Sequence, residues 1–264
     1  ITNSFMKKNI AIIGFGVTGQ RFFKHLKKSS KINISIIIVK KKRKIFLKGR
    51  NICGTFTDIK KFNNLSGVII ATTYKTSFKY AEFFLKKKIP ILIEKPFCET
   101  ILQSKKLFSL FNENKSSFLI NYSDLYDPKY IKLIKKGFKK IKNIKIIKAV
   151  YGNNKILYPI KKKYYPIQNW ISHPISLFLT ICGDIKKYKI TNYKIKYKGG
   201  FIYEKVQIQL FKQDLYLIFS FSNFPGDKNR NIKIIGQKGY LKFNSYLKND
   251  NYIFYKQKEY IRSK

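Results

Sequence analysis

Cysteine, histidine, tryptophan and acidic side chains are all scarce in this chain of 264 residues. The three cysteines, Cys53, Cys98 and Cys182, stand far apart, with no CxxC spacing and no histidine partner pattern. That distribution argues against a zinc site or a disulfide frame and for a reducing compartment, so a cytoplasmic protein without a metal is expected. Also missing is any uncharged apolar run of the ~18 residues that a membrane helix needs, and no membrane partner is expected. The first apolar run follows Lys7 and Lys8 and so mimics a signal peptide weakly. Glycines interrupt it, however, and no small-residue cleavage site follows.

Alanine is rare as well, occurring only at Ala11, Ala71, Ala81 and Ala149. This matters for reading the charge. There are 56 Lys plus Arg against 13 Asp plus Glu, a formal net charge of +43, which taken alone points to nucleic acid or an anionic surface. The basic residues are nevertheless spread along the whole chain, and nearly all are lysine. Lys, Ile, Asn, Phe and Tyr have A/T-rich codons and alanine has G/C-rich ones, so a biased genome accounts for the excess. No specific nucleic acid is expected, although the field would attract phosphates whatever its origin.

What is present is a change of grammar part-way along. From Asn9 to about Asn121 short apolar runs alternate with amphipathic stretches: NIAIIGFG, ISIIIV, GVIIATT, PILIEKP and SSFLINYS read as strands, with helices such as GQRFFKHLKK between them. Strands separated by helix-length connections imply βαβ units and a parallel sheet. A helical stretch, DPKYIKLIKKGF, and KIIKAVYG follow. Beyond Gly183 come YKITNYKIKY, EKVQIQLF, DLYLIFSFSN, NIKIIG, YLKFNSY and NYIFYK, punctuated by Gly199–Gly200, Pro225–Gly226–Asp227 and Gly239. The expected fold is α/β: a doubly wound Rossmann domain over 6–122, then an α+β domain on a mainly antiparallel sheet over 123–264.

Gly14, Gly16 and Gly19 form GxGxxG directly after a strand and at the start of a helix, the context that the dinucleotide fingerprint requires. The first glycine permits the tight turn, the second lets the backbone approach a pyrophosphate, and the third lets helix and strand pack closely. The pyrophosphate would rest on the helix N-terminus. Strand two ends in Val39, Lys40, Lys41, Lys42 and Arg43, where an NAD site usually offers a carboxylate, so NADP is expected, with NAD possible. Glu94, Lys95 and Pro96 end another apolar strand, and the carboxyl ends of such strands face the ligand crevice. The candidate cofactor-binding set is Gly14, Phe15, Gly16, Val17, Gly19, Lys40, Lys41, Ala71, Thr72, Glu94 and Lys95.

With these motifs the chain resembles the Gfo/Idh/MocA oxidoreductases, named for glucose-fructose oxidoreductase and inositol dehydrogenase. The resemblance runs through GFGVTG, VIIATT, SFKYAEFFLKKKIPILIEKPF and the late IIGQKGYLKF. It extends to NWISHPISLFLTICGDI, which is similar to a family motif in which an aspartate precedes a histidine by four positions. The resemblance implies catalytic roles for Lys95 and His173, meeting one substrate hydroxyl from different domains. Asn169 stands where the family usually has the aspartate, and Ser77 where many members have a histidine. Implied, too, are a sugar, nucleotide sugar, cyclitol or related polyol as substrate and a homo-oligomer formed through the C-terminal sheet. The alternatives are an inactive NADP-binding regulatory protein of the same fold and a basic nucleic-acid binder.

QNWISHPISLF gathers the chain's one tryptophan, Trp170, and one of its two histidines. Ser172 is expected to cap the following helix, Pro174 to occupy its first turn and Gly183 to end it. The helix dipole would then keep His173 neutral, as a general base needs, with Trp170 as a pocket wall and Asn169 orienting the imidazole.

Overall fold

The computed structural model describes residues 6–41, 44–59, 64–128, 131, 138–153, 159, 166–226, 228–244 and 252–256. The chain divides into two compact units, Ile1–Asn121 and Tyr122–Lys264. The expected helix DPKYIKLIKKGF falls largely outside the described residues.

In the first unit the strands are β1 (Lys8–Ile13), β2 (Ile32–Ile38), β3 (Phe46–Leu47), β4 (Arg50–Asn51), β5 (Cys53–Gly54), β6 (Gly67–Ile70), β7 (Ile91–Glu94) and β8 (Phe118–Asn121). The helices are α1 (Val17–Leu26), α2 (Phe56–Ile59), α3 (Tyr74–Lys86) and α4 (Ile101–Asn114). Six strands form one parallel sheet in the order β5-β2-β1-β6-β7-β8, while β3 and β4 pair only with each other. The apolar strands are buried on both faces because alternate side chains serve two cores. Ile13, Ile38 and Ile70 pack with Ala81, Phe84 and Leu85 of α3 and Leu107 of α4. On the opposite side Ile12, Ile37 and Ile69 pack with Phe22, Phe23 and Leu26 of α1. Each fully buried Ile or Phe contributes on the order of 2 kcal/mol of apolar transfer.

The sheet has one strand more than the five read from periodicity. β5 is only two residues long, too short to carry a pattern, and it is held by pairing with Ile37 and Ile38 of β2. Helix α4 did carry a local signal: the Thr100 hydroxyl accepts from Gln103 N–H at 3.1 Å, and Gln103 Oε1 accepts from Glu99 N–H at 2.8 Å. This is close to the reciprocal capping arrangement of Thr and Gln three residues apart.

The second unit holds α5 (Phe138–Ile141), β9 (Ile146–Asn153), α6 (Pro166–Trp170), α7 (Ser172–Cys182), and then β10 (Lys187–Lys198), β11 (Phe201–Lys212), β12 (Leu215–Ser222), β13 (Lys228–Gly236), β14 (Gly239–Asn244) and β15 (Tyr252–Lys256). Seven strands form a sheet in the order β10-β11-β12-β9-β13-β14-β15, antiparallel except where β12 meets β9. One core covers one face of it. Ile147, Ala149 and Tyr151 of β9, Phe219 and Phe221 of β12 and Ile232 and Ile234 of β13 pack there with Trp170, Leu177 and Phe178 from the helices.

The helical segment departs from expectation at its start. Ile171, not Ser172, is the cap residue of α7, and its backbone is helical (φ −61, ψ −30). Ile171 N–H bonds Ile167 O at 2.9 Å and Ile175 N–H bonds Ile171 O at 3.2 Å, so α6 runs almost without a break into α7. The Ser172 hydroxyl is buried without a hydrogen-bond partner. Gly183 does end the helix, at φ +84, its N–H bonding Leu179 O at 2.7 Å. No helix among the described residues is long and apolar enough to cross a membrane.

Candidate functional site

The glycine turn after β1 separates what the fold requires of each glycine from what a ligand would require. Gly14 adopts φ +93, and a Cβ there would lie 2.5 Å from the Ala71 carbonyl oxygen and 2.9 Å from Thr72 Cγ2. A Cβ on Gly19 would lie 2.1 Å from the Gly14 oxygen. Both are demanded by the chain's own packing: the turn lies tight between Ile38, whose carbonyl accepts from Gly14 N–H at 2.8 Å, and the end of β6. Gly16 is different. Its backbone is extended at φ −72, ψ −167, open to any residue, and a Cβ there would meet nothing within 4 Å. Nothing among the described residues accounts for a glycine at this position.

The surroundings of Gly16 suit a phosphate-bearing ligand. Gly16 is the N-cap of α1 and no side chain caps that end, whose N–H groups and dipole favour an anion. Val17, in the first turn, is 69% exposed, and Phe15 lies against Phe23 with ring centroids 5.5 Å apart. The Thr72 hydroxyl oxygen, next to the same turn, is buried without a hydrogen-bond partner among the described residues. Lys40 and Lys41 are exposed just beyond β2, and the residues that follow them in sequence, Lys42 and Arg43, are basic too and lie outside the described residues. These residues fit a dinucleotide whose pyrophosphate lies over Gly16.

At the end of β7, Glu94 and Lys95 are half-buried. The Asn121 amide donates to Glu94 Oε1. Burial pushes the Glu94 carboxyl above its usual range, while the Asn121 hydrogen bond and the charges of Lys95 and Arg21 pull against it. Ser77 is fully buried and donates to Thr73 O at 2.7 Å, so it has a structural role in the first turns of α3.

In the second unit His173 lies in a cluster that no short stretch of sequence contains. A 3-10 turn, Ser123–Tyr126, supplies Asp124, whose Oδ2 is 2.7 Å from His173 Nδ1. Arg230 of β13 places Nη2 2.5 Å from the same Oδ2 and 3.4 Å from His173 Nδ1. The three side chains are only 13 to 16% exposed. Arg230's guanidinium lies over the rings of Tyr151 and Trp170, 5.3 and 5.8 Å from their centroids. Burial works against the Asp124 carboxylate, but the hydrogen bond and attraction of His173, with Arg230 beside them, outweigh it and hold the acid at about 2.

This arrangement corrects the sequence reading of the helix. The imidazole is held through Nδ1 by Asp124, a residue that the sequence reading did not single out, while Asn169 is half-buried on α6. Trp170 is a core residue, 7% exposed, stacked on Phe221 with centroids 6.3 Å apart and backing His173 at 5.9 Å. The dipole argument for a neutral ring also loses its basis, since His173 lies within a nearly continuous helical stretch. Charges close to the ring among the described residues include those of Asp124 and Arg230.

Residues 8–122 match the Gfo/Idh/MocA family, described as an oxidoreductase family with an NAD-binding Rossmann fold. The match covers the Rossmann unit. Solved structures extend the likeness in fold to the rest of the chain. A candidate oxidoreductase from Magnetospirillum magnetotacticum MS-1 is 16% identical with a TM-score of 0.83, over 98% of this chain and 83% of that one. A candidate myo-inositol dehydrogenase from Sinorhizobium meliloti 1021 is 15% identical at TM-score 0.76, over 95% and 82% of the two chains. GenD2 from gentamicin A biosynthesis, solved in complex with NAD, is 13% identical at TM-score 0.76, over 92% and 74%. No curated protein sequence matches the chain.

Proposed function

We propose that this protein is a nicotinamide-dependent oxidoreductase acting on a secondary alcohol of a sugar, nucleotide sugar, cyclitol or related polyol, with NADP preferred over NAD. The observation that carries the reading is Gly16: a glycine with ordinary backbone angles and open space where its side chain would be. The GenD2 structure, with its bound NAD, and the candidate inositol dehydrogenase support it by likeness of fold. The bound nicotinamide would supply hydride acceptance and donation.

The chain's own residues would bind, orient and move the proton. The α1 N-terminus and the Gly16 backbone would hold the pyrophosphate, Thr72 would offer its unpartnered hydroxyl, and Lys40 and Lys41 would meet a 2′-phosphate. With Nδ1–H donating to Asp124, His173 presents Nε2 as proton acceptor, so in the oxidative direction Nε2 takes the hydroxyl proton. Lys95 is assigned the stabilisation of negative charge developing on that oxygen. In reduction both roles reverse.

The reading includes a reducing, cytoplasmic setting, consistent with the free thiols of Cys53 and Cys98. It also includes self-association through the outer face of the seven-stranded sheet, where Val150 and Tyr216 are 42% and 41% exposed. A screen of polyols, sugars and nucleotide sugars with NADP and NAD, following reduced nicotinamide absorbance, tests the function. Turnover supports it, whereas clear cofactor binding with no turnover on any class replaces it with a non-catalytic NADP-binding protein.

A further inference from the structure

We propose that Arg230 is a positioning residue for proton transfer: it fixes Asp124 as the carboxylate partner of His173 Nδ1 and offsets that carboxylate's pull, so that the ring stays available as a proton acceptor near neutral pH. The proposal rests on His173 being the acceptor in the function proposed above.

The argument is one of charge and distance. A carboxylate 2.7 Å from Nδ1, in a pocket where all three side chains are at least four-fifths buried, would by itself strongly favour imidazolium. An imidazolium has no lone pair left to accept a proton. Arg230 changes that balance because its Nη2 is 3.4 Å from Nδ1, and Coulomb energy falls only as the inverse of distance. Repulsion from Arg230 therefore offsets much of the attraction from Asp124 at the ring. The directional part remains: Nδ1–H donates to Asp124, which fixes the tautomer in which Nε2 is the acceptor nitrogen.

Arg230 is itself held in place. Its guanidinium lies against Tyr151 and Trp170, within the 6 Å range of a cation–π contact, and guanidinium remains charged throughout the working pH range. Asp124 from the 3-10 turn, Arg230 from β13 and the Tyr151 phenol from β9 are titratable or charged groups that face the ring among the described residues. The surface lysines of this chain cannot substitute for a charge at this distance, because solvent screens them.

The chain has only two histidines, which makes the test direct. Ring-labelled protein, without cofactor or substrate, is titrated by NMR as wild type, Arg230→Met and Arg230→Lys. Exposed His25 is the internal control. In Arg230→Met the transition of the His173 signals is expected to move up by about one pH unit or more, with His25 unchanged. Arg230→Lys, which keeps the charge, should reverse most of that shift. Should Arg230→Met fail to fold, Arg230→Gln keeps an N–H donor for Asp124 without the charge and is expected to move His173 the same way. A His173 transition that is unmoved or lowered in a folded, uncharged variant overturns the proposal. The shift without turnover on any substrate would remove the proposed function and leave this pairing intact; turnover without the shift would do the reverse.

Discussion

Asp124 Oδ2 lies 2.7 Å from His173 Nδ1, two residues 49 positions apart in the sequence. The carboxylate that orients the histidine thus comes from the turn after β8 and not from the helix that carries the ring. It engages Nδ1 of the imidazole, and in the proposed function the other ring nitrogen takes the substrate proton.

Replacing His173 or Lys95 by alanine should lower turnover by about 10²- to 10⁴-fold while NADPH affinity stays within about twofold of wild type. Steady-state kinetics on a substrate found by the screen, with NADPH titrations alongside, check this. Both variants at wild-type turnover would show that the reaction is carried by other residues.

Asp124 also makes a prediction about stability. Its folded value, about 2, lies below the ordinary 3.8, so its contribution is complete above roughly pH 4 and is lost as pH falls towards 2. For a side chain 13% exposed this amounts to about 2 kcal/mol. Asp124→Asn should therefore be less stable than wild type at pH 6, and the gap should narrow between pH 4 and 2. Urea unfolding across that range reads the difference directly, and a gap that stays constant contradicts the assignment.

Gly14 and Gly19 should behave as structural residues. Alanine at either would force a Cβ to within 2.5 Å or less of a backbone oxygen, so each variant should lose about 2–4 kcal/mol, read as a lowered unfolding midpoint. Midpoints equal to wild type would mean that the turn is less tightly packed than these distances indicate.

Lys40 and Lys41 set the expected cofactor choice. Wild type should bind NADPH more tightly than NADH by roughly tenfold, and the Lys40→Glu/Lys41→Glu double variant should lose or invert that preference. Equal affinities in the wild type would remove the role given to these lysines.

The Rossmann half was legible because its signals are local. GFGVTG stands between a strand and a helix, and Ile12–Ile13, Ile37–Ile38 and Ile69–Ile70 announce strands buried on both faces. The glycine pattern alone did not say which glycines serve the fold; that required the Ala71 carbonyl and the Gly14 oxygen in place. The cluster around His173 was only half legible. Sequence pointed to His173 itself, but Asp124 and Arg230 come from a turn and a strand 49 and 57 residues away, with no periodicity to connect them. Asn169 looked like the natural partner because it is a helical turn from His173. The backbone passes through Ile171 without a cap, and the ring's Nδ1 meets the carboxylate of Asp124.

Gly16 offers the most direct test of the nucleotide-binding claim, because a side chain there has room in the folded chain and would occupy only the place of the ligand. The measurement is a fluorescence titration of wild type and Gly16→Val with NADPH, with thermal unfolding of both proteins alongside. The expected result is saturable NADPH binding by wild type and loss of binding in a Gly16→Val protein whose unfolding midpoint is essentially unchanged. Undiminished NADPH binding by folded Gly16→Val, or no binding by wild type, would contradict the account.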